Sequence, residues 1–244
     1  MTTPKGDLVP VHGGLDALVD RTVPLNRRAA FLAEAASLPK LRVTNADLST
    51  VYRIADGALS PLEGPMKRDV WDRVLDEEVV VSKGAKYAWT IPLAFPATDD
   101  EAKAIAKAGA CAVVNEAGAG VAIVNDAEVF DWDKAKYVSR VYGTERVDHP
   151  GGRMVANDAR TKLVGGSLRA LPQPVNPEYG EYMLSPRRTR ALIADRKYQA
   201  ALAFQTRNPL HRAHEYALVW AGEYLTKQGI YTGIFLNPLM GELK

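Results

Sequence analysis

The run Gln205-Thr206-Arg207-Asn208-Pro209-Leu210-His211-Arg212-Ala213-His214 concentrates the side chains of this chain that could do chemistry. Arg207 carries a planar guanidinium fork that matches a tetrahedral oxyanion, and Gln205 offers an amide donor to the same ligand. His211 and His214 stand three apart, so on a helix both project from one face within about one turn. The apolar residues from Tyr198 to Phe204 predict a strand leading into the run. Asn208 is a favoured N-cap and Pro209 a tolerated first helical residue, so the helix is expected to open at Pro209. Its apolar side takes Tyr216, Leu218, Val219 and Leu225; Gly229 stops it, and Tyr231 to Leu236 predicts a second strand. A parallel strand feeding a helix sets the free N–H groups of the first turn at the carboxyl edge of the sheet, with the positive end of the helix dipole. The chemistry expected at that junction is binding of phosphate or sulfate.

Other phosphate and metal devices are missing. No Gly-x-x-x-x-Gly-Lys-Ser/Thr occurs, and Gly118-Ala-Gly120-Val-Ala-Ile123 ends in Ile where a dinucleotide fingerprint needs Gly or Ala. The histidines are spaced His-x-x-His rather than His-Glu-x-x-His, with no cysteine cluster, so no protein-held metal is expected. The one cysteine, Cys111, falls in the apolar run Ala110 to Val114 and reads as a buried strand residue, which excludes a disulfide framework.

Gln205-Thr-Arg-Asn-Pro209 followed by His211-Arg-Ala-His214 resembles the signature of the ATP sulfurylase family. The resemblance implies an α+β PUA-like N-terminal domain and then an α/β Rossmann-like nucleotidyltransferase domain. It also implies transfer of adenylate from ATP to sulfate, giving adenosine 5′-phosphosulfate and pyrophosphate, with Mg²⁺ carried on the nucleotide. On the resemblance, Gln205 and Arg207 hold sulfate, and Thr206, Arg207 and Asn208 form the catalytic group. Gln205, Thr206, Arg207, Asn208, His211 and His214 then contact ATP. Further stretches are similar to the family: Val11-His12-Gly13-Gly14, Val51 to Met66, Gly143 to Gly152, and Phe235 to Lys244, where Asn237 stands in place of a His. A homo-oligomer in the cytoplasm is expected.

The scaffold follows from patterning. With 47% hydrophobic residues in 244, the chain can bury one large or two modest cores. Thirty-one basic residues against 29 acidic ones leave no global footprint for nucleic acid or membrane. Asn26 is expected to cap a helix ending at Ser37, and Thr44 or Asn45 one through Leu48, Val51, Tyr52 and Ala55, closed by Gly57. Val70, Trp71, Val74 and Leu75 line one side of a short helix, and Trp89 to Leu93 predicts an edge strand. A helix from Glu101 precedes a hairpin of Ala110–Val114 with Val121–Val124 around Gly118 to Gly120. Trp132 to Tyr142 predicts a helix stopped by Gly143, and Lys162 to Leu171 a strand with a glycine break. Ser185 is expected to cap a helix at Pro186 that bears Arg187, Arg188 and Arg190, close to Arg196 and Lys197.

Pro172, Pro174 and Pro177 place a domain boundary there, giving an N-terminal domain over 1–174 and a catalytic segment over 175–244. Only one strand is visible after the signature helix, whereas a doubly wound sheet needs several more. The second domain is therefore expected to be cut short at its C-terminus, without the further Gly-Arg-Asp-His type loop of the family, and the 244 residues alone to be inactive or nearly so. Two rival functions remain open: another adenylyltransferase of the same superfamily, and a non-catalytic binding module carrying a vestigial motif.

Overall fold

A computed structural model of the chain describes residues 8–146 and 148–239. Two compact units separate, residues 10–183 and residues 184–239 together with residues 8–9.

In the first unit a 3-10 turn, Leu25–Arg27, leads into α1 (Arg28–Ser37), then β1 (Lys40–Arg42), α2 (Asn45–Ala55) and α3 (Arg68–Glu77). β2 (Val79–Ser82) and β3 (Ala85–Ala88) form an antiparallel hairpin of their own. β4 (Phe95–Ala97), α4 (Asp99–Ala108), β5 (Ala110–Val114), β6 (Gly120–Asp131), α5 (Lys134–Tyr142), α6 (Pro150–Asn157) and β7 (Lys162–Ala170) complete it. The main sheet runs β1-β5-β6-β7-β4, antiparallel except for the β1–β5 pair. Leu41, Val51, Ile54, Phe95, Ile105, Val113, Val124 and Leu168 are almost wholly withdrawn from water in its core.

Local chemistry sets the helix starts. Thr44 and Thr98 each close a capping box, with Asp47 and Glu101, so two orphan donors are satisfied at each end. α3 buries Trp71, Val74 and Leu75 along one side, as their spacing requires. The stretch from Leu59 to Met66 lies directly on β7: Gly166 N donates to Pro65 O at 2.9 Å and Leu168 N to Glu63 O at 2.9 Å. A Cβ on Gly64 would stand 1.9 Å from Gly166 O, so only glycine permits that approach.

Several expectations are corrected. α1 opens at Arg28 behind a 3-10 turn, and its N-cap Arg27 makes no side-chain cap bond; Asn26 does not cap it. Trp89 to Leu93 is not a strand, because Trp89 N donates to Glu78 O and its indole N–H to Ile91 O, turning the chain after β3. β6 continues to Asp131 through a register shift between Asn125 and Glu128, with Asp126 at φ 48°. α5 begins at Lys134, capped by Asp133, rather than at Trp132. α6 was not expected; His149 caps it, accepting from Gly151 N at 3.1 Å. β7 is continuous through its glycines.

The second unit contains α7 (Pro186–Asp195), β8 (Ala200–Thr206), α8 (Arg212–Lys227) and β9 (Thr232–Pro238). Ser185 caps α7 as expected, accepting from Arg188 N at 3.3 Å. β8 and β9 pair in parallel with α8 as the crossover, a βαβ unit. The predicted strands at Tyr198 to Phe204 and Tyr231 to Leu236 lie one or two residues too early. Gln199 N bonds Tyr231 O at 2.8 Å just before the ladder begins, and the ladder runs on through Gln205–Asn237 and Thr206–Pro238. Among the described residues of this unit, Leu218 is the one buried hydrophobic side chain. No helix of the described residues is long and apolar enough to cross a membrane.

Candidate functional site

β8 delivers Gln205 and Thr206 to its carboxyl end, where the chain must turn into α8. Thr206 makes that turn: its hydroxyl accepts from Asn208 N at 3.0 Å and donates to Asn208 O at 3.0 Å. Asn208 is therefore held inside a side-chain-closed turn and does not cap the helix. α8 opens three residues later than expected, at Arg212, with His211 as its N-cap in extended backbone, φ −135° and ψ 172°. His211 Nδ1 accepts from Ala213 N at 3.3 Å, which leaves Nε2 as the donor of the neutral ring.

This start changes the site. The amide of Ala213 is taken by His211, while His214 N donates to His211 O at 2.9 Å and Glu215 N to the same oxygen at 3.1 Å. An anion at this junction meets side chains more than free amides. The imidazoles of His211 and His214 stack at 3.8 Å between centroids and 29° between planes. Phe204 of β8 lies 5.2 Å from His214, and His214 Nδ1 is buried without a partner among the described residues. Arg207 and Gln205 are exposed and spend no side-chain hydrogen bond or ion pair on the described residues.

The structure thus brings Gln205, Thr206, Arg207, Asn208, His211 and His214 to one strand–helix junction. It adds Asn237, which the parallel register sets opposite Gln205 at the end of β9. The signal for it was present in the segment from Phe235 onward, whose residues 240–244 lie outside the described ones. Two other histidines stand apart. His12 Nε2 lies 3.1 Å from Ala88 O, and His149 caps α6. Among the described residues no group of three or more His, Cys, Asp or Glu could hold a metal ion.

Residues 9–173 match the PUA-like domain family and residues 180–244 the ATP-sulfurylase family. The chain is 45% identical over 238 residues to a sulfate adenylyltransferase of Pyropia yezoensis, covering 96% of this chain and 55% of that protein. A sulfate adenylyltransferase of Nostoc punctiforme is 32% identical over 238 residues, covering 98% and 58%. The chain therefore spans somewhat over half the length of these relatives. A hexameric APS kinase from Thiobacillus denitrificans has a similar fold, with TM-score 0.67 at 20% identity, over 97% of this chain and 48% of that one.

Proposed function

The chain belongs to the PUA-like domain family over residues 9–173, and from the ATP-sulfurylase match over residues 180–244 and the sulfate adenylyltransferase relatives we propose that it is part of an ATP sulfurylase whose β8–α8 junction takes part in sulfate adenylyl transfer. In that reaction a sulfate oxygen attacks the α-phosphorus of ATP, pyrophosphate leaves, and adenosine 5′-phosphosulfate forms. The supporting observation is the juxtaposition of the uncommitted Arg207 and Gln205 with the stacked pair His211 and His214 at one strand end.

Two anions must meet for this chemistry. A pair of unit charges about 4 Å apart interacts with about 1 kcal/mol in water but about 4 kcal/mol at an effective dielectric near 20. A partly dry site therefore needs cations and donors in place beforehand. Arg207 supplies the fork for sulfate, with Gln205 as second donor. Thr206 and Asn208 hold the loop through their mutual hydrogen bonds, which fixes where Arg207 begins. His211 presents Nε2 to the ATP phosphates, and His214, wedged against Phe204, holds the first ring in place by stacking. Sulfate is already ionised, so no general base is required. Among the described residues no cluster of carboxylates offers Mg²⁺ a site, and in this reading the ion comes on the ATP phosphates, whose charge it would offset.

Within this reading, the residues from 175 onward are the opening part of a Rossmann-like nucleotidyltransferase domain, and the boundary with the PUA-like domain lies in the proline-rich stretch after Leu171. Further polypeptide of the kind the longer relatives carry completes the cleft, and the working protein is a homo-oligomer. The open aromatic side of α8, with Tyr216, Trp220 and Tyr224 each more than half exposed, supports both points. The test is ATP formation from adenosine 5′-phosphosulfate and pyrophosphate, which avoids the unfavourable forward equilibrium. It is run on this chain and on the chain extended with the remainder of the Pyropia yezoensis relative. Activity in the extended protein, abolished or greatly reduced by Arg207→Lys, is expected; near-normal activity of that variant would remove Arg207 as the oxyanion clamp.

A further inference from the structure

A recess of about 360 Å³ in the first unit lies between α1, the extended segment 20–24 and the end of β7. Its construction follows from backbone pairing. Val23 N donates to Ala170 O at 2.8 Å and Ala170 N to Arg21 O at 3.0 Å, so residues 21–23 run beside β7. α1 sets Phe31 and Glu34, three apart on one face, toward that seam, and its N-cap Arg27, the last residue of the preceding 3-10 turn, stands beside them. Val23 and Phe31, both buried, form the apolar floor.

The lining carries three guanidinium groups, Arg21, Arg27 and Arg169, against two carboxylates, Asp20 and Glu34. Their commitments differ. Arg21 is held by Leu168 O at 2.7 Å, Ser167 Oγ at 2.5 Å and Glu63 at 3.5 Å, so it acts as a fixed wall. Arg169 reaches Glu34 at 2.6 Å through Nη2 and lies 6.0 Å over the Phe31 ring, which orients its other nitrogens while neutralising Glu34. Asp20 Oδ1 accepts from Thr22 N at 3.0 Å, a bond that turns part of its charge toward the backbone. Arg27, at the mouth, makes no side-chain hydrogen bond or ion pair with the described residues. The recess thus combines one uncommitted fork, one half-committed fork braced by a carboxylate, and a dry floor that strengthens both. Its volume falls within the range of small-ligand sites, about 300–1,000 Å³.

We infer that this recess binds a tetrahedral oxyanion, sulfate or phosphate, either free or as the terminal group of a small molecule whose body rests on Val23 and Phe31. The site lies wholly within the first unit and does not depend on the β8–α8 chemistry. Arg27 and Arg169 clamp the anion, and the Arg169–Glu34 pair positions the second fork.

The experiment follows the side-chain Nε–Hε resonances of Arg27 and Arg169 by NMR, assigned with single-site variants. Sodium sulfate, sodium phosphate and ATP are titrated separately at ionic strength held constant with chloride. Saturable shifts of both resonances are expected. They should persist in Arg207→Ala, which separates this site from the junction, and weaken at least about tenfold in Arg27→Ala, the loss of one charge-assisted contact. Arg27 is exposed, so an unchanged thermal midpoint of the unliganded variant verifies its fold. Stronger binding of ATP than of the inorganic ions identifies a nucleotide as the source, and the reverse order identifies the free anion. No saturable shift of Arg27 with any of the three, or the same affinity in Arg27→Ala as in the parent, overturns the inference.

Discussion

Replacing His211 separates the helix cap it forms from the phosphate contact proposed for it. Its Nδ1 is the acceptor for Ala213 N at 3.3 Å, and among the described residues no other side chain caps the start of α8. Loss of a side-chain cap costs about 1 kcal/mol. With RT near 0.6 kcal/mol, that raises the open population of the first turn of α8 roughly fivefold. In His211→Ala the amide of Ala213 should exchange with deuterium roughly five times faster, with the effect fading toward Leu225. His211→Asn supplies another acceptor at the same position, so it should restore most of the protection. It has no imidazole to stack on His214, however, and should not restore affinity for ATP measured by calorimetry. Exchange at the parental rate in His211→Ala would show that the cap contributes nothing. An ATP affinity fully recovered in His211→Asn would show that His211 serves the helix only, and would leave the phosphates to His214 and Arg207.

Gly64→Ala should cost about 3 kcal/mol or more in denaturant unfolding, because the new Cβ would stand 1.9 Å from Gly166 O. Gly118→Ala, with φ 80° and open space around it, should cost only about 1–2 kcal/mol, and equal losses would refute the contact argument. Burial pushes the Cys111 thiol from 9.0 up to about 12, so the folded state keeps a proton that the unfolded state releases. That contribution is complete below pH 9 and is lost as pH rises toward 12, about 4 kcal/mol over the interval. Cys111→Ala should flatten the alkaline decline measured by unfolding at a series of pH values, leaving the part due to Tyr137, whose hydroxyl burial also raises to about 12. Trp220→Glu should reduce self-association in sedimentation velocity if the aromatic side of α8 is the contact, since Trp220 is 55% exposed and, among the described residues, stacks on Tyr224 alone.

What could be read from the residues was what local chemistry decides. Thr44 and Ser185 cap their helices because an acceptor side chain and an amide two or three residues on need nothing else. Gly57, Gly143 and Gly229 all adopt positive φ at the turns where punctuation was expected. The elements that escaped depend on partners distant in sequence. Val121 to Val124 reads as a complete strand because Asn125-Asp126 has the composition of a turn. In the fold those residues sit at an irregularity in β6, carried past it by pairing with β7 at Glu128 to Asp131. The β2–β3 hairpin turns through Lys83-Gly84, where Lys83 accepts a φ of 47° that its side chain gives no hint of.

The junction after β8 shows how a wrong boundary can leave a site in place while changing its chemistry. The apolar strand sets where the chain reaches the sheet edge, so Gln205 to His214 had to gather there wherever the helix began. The helix start decides which groups face an incoming anion. A helix from Pro209 would have offered first-turn amides and two histidines side by side on its surface. Thr206 instead ties down Asn208, and the helix waits for His211, whose ring consumes the amide of Ala213 and folds against His214. Two side chains with opposite prospects, a hydroxyl able to close a turn and an imidazole able to cap, competed with Asn-Pro for the same boundary. On the proposed reading, their victory transfers anion recognition from the backbone to Arg207, Gln205 and the imidazole N–H. For that reason point substitutions at this junction should act on binding far more than substitutions at an amide cradle could.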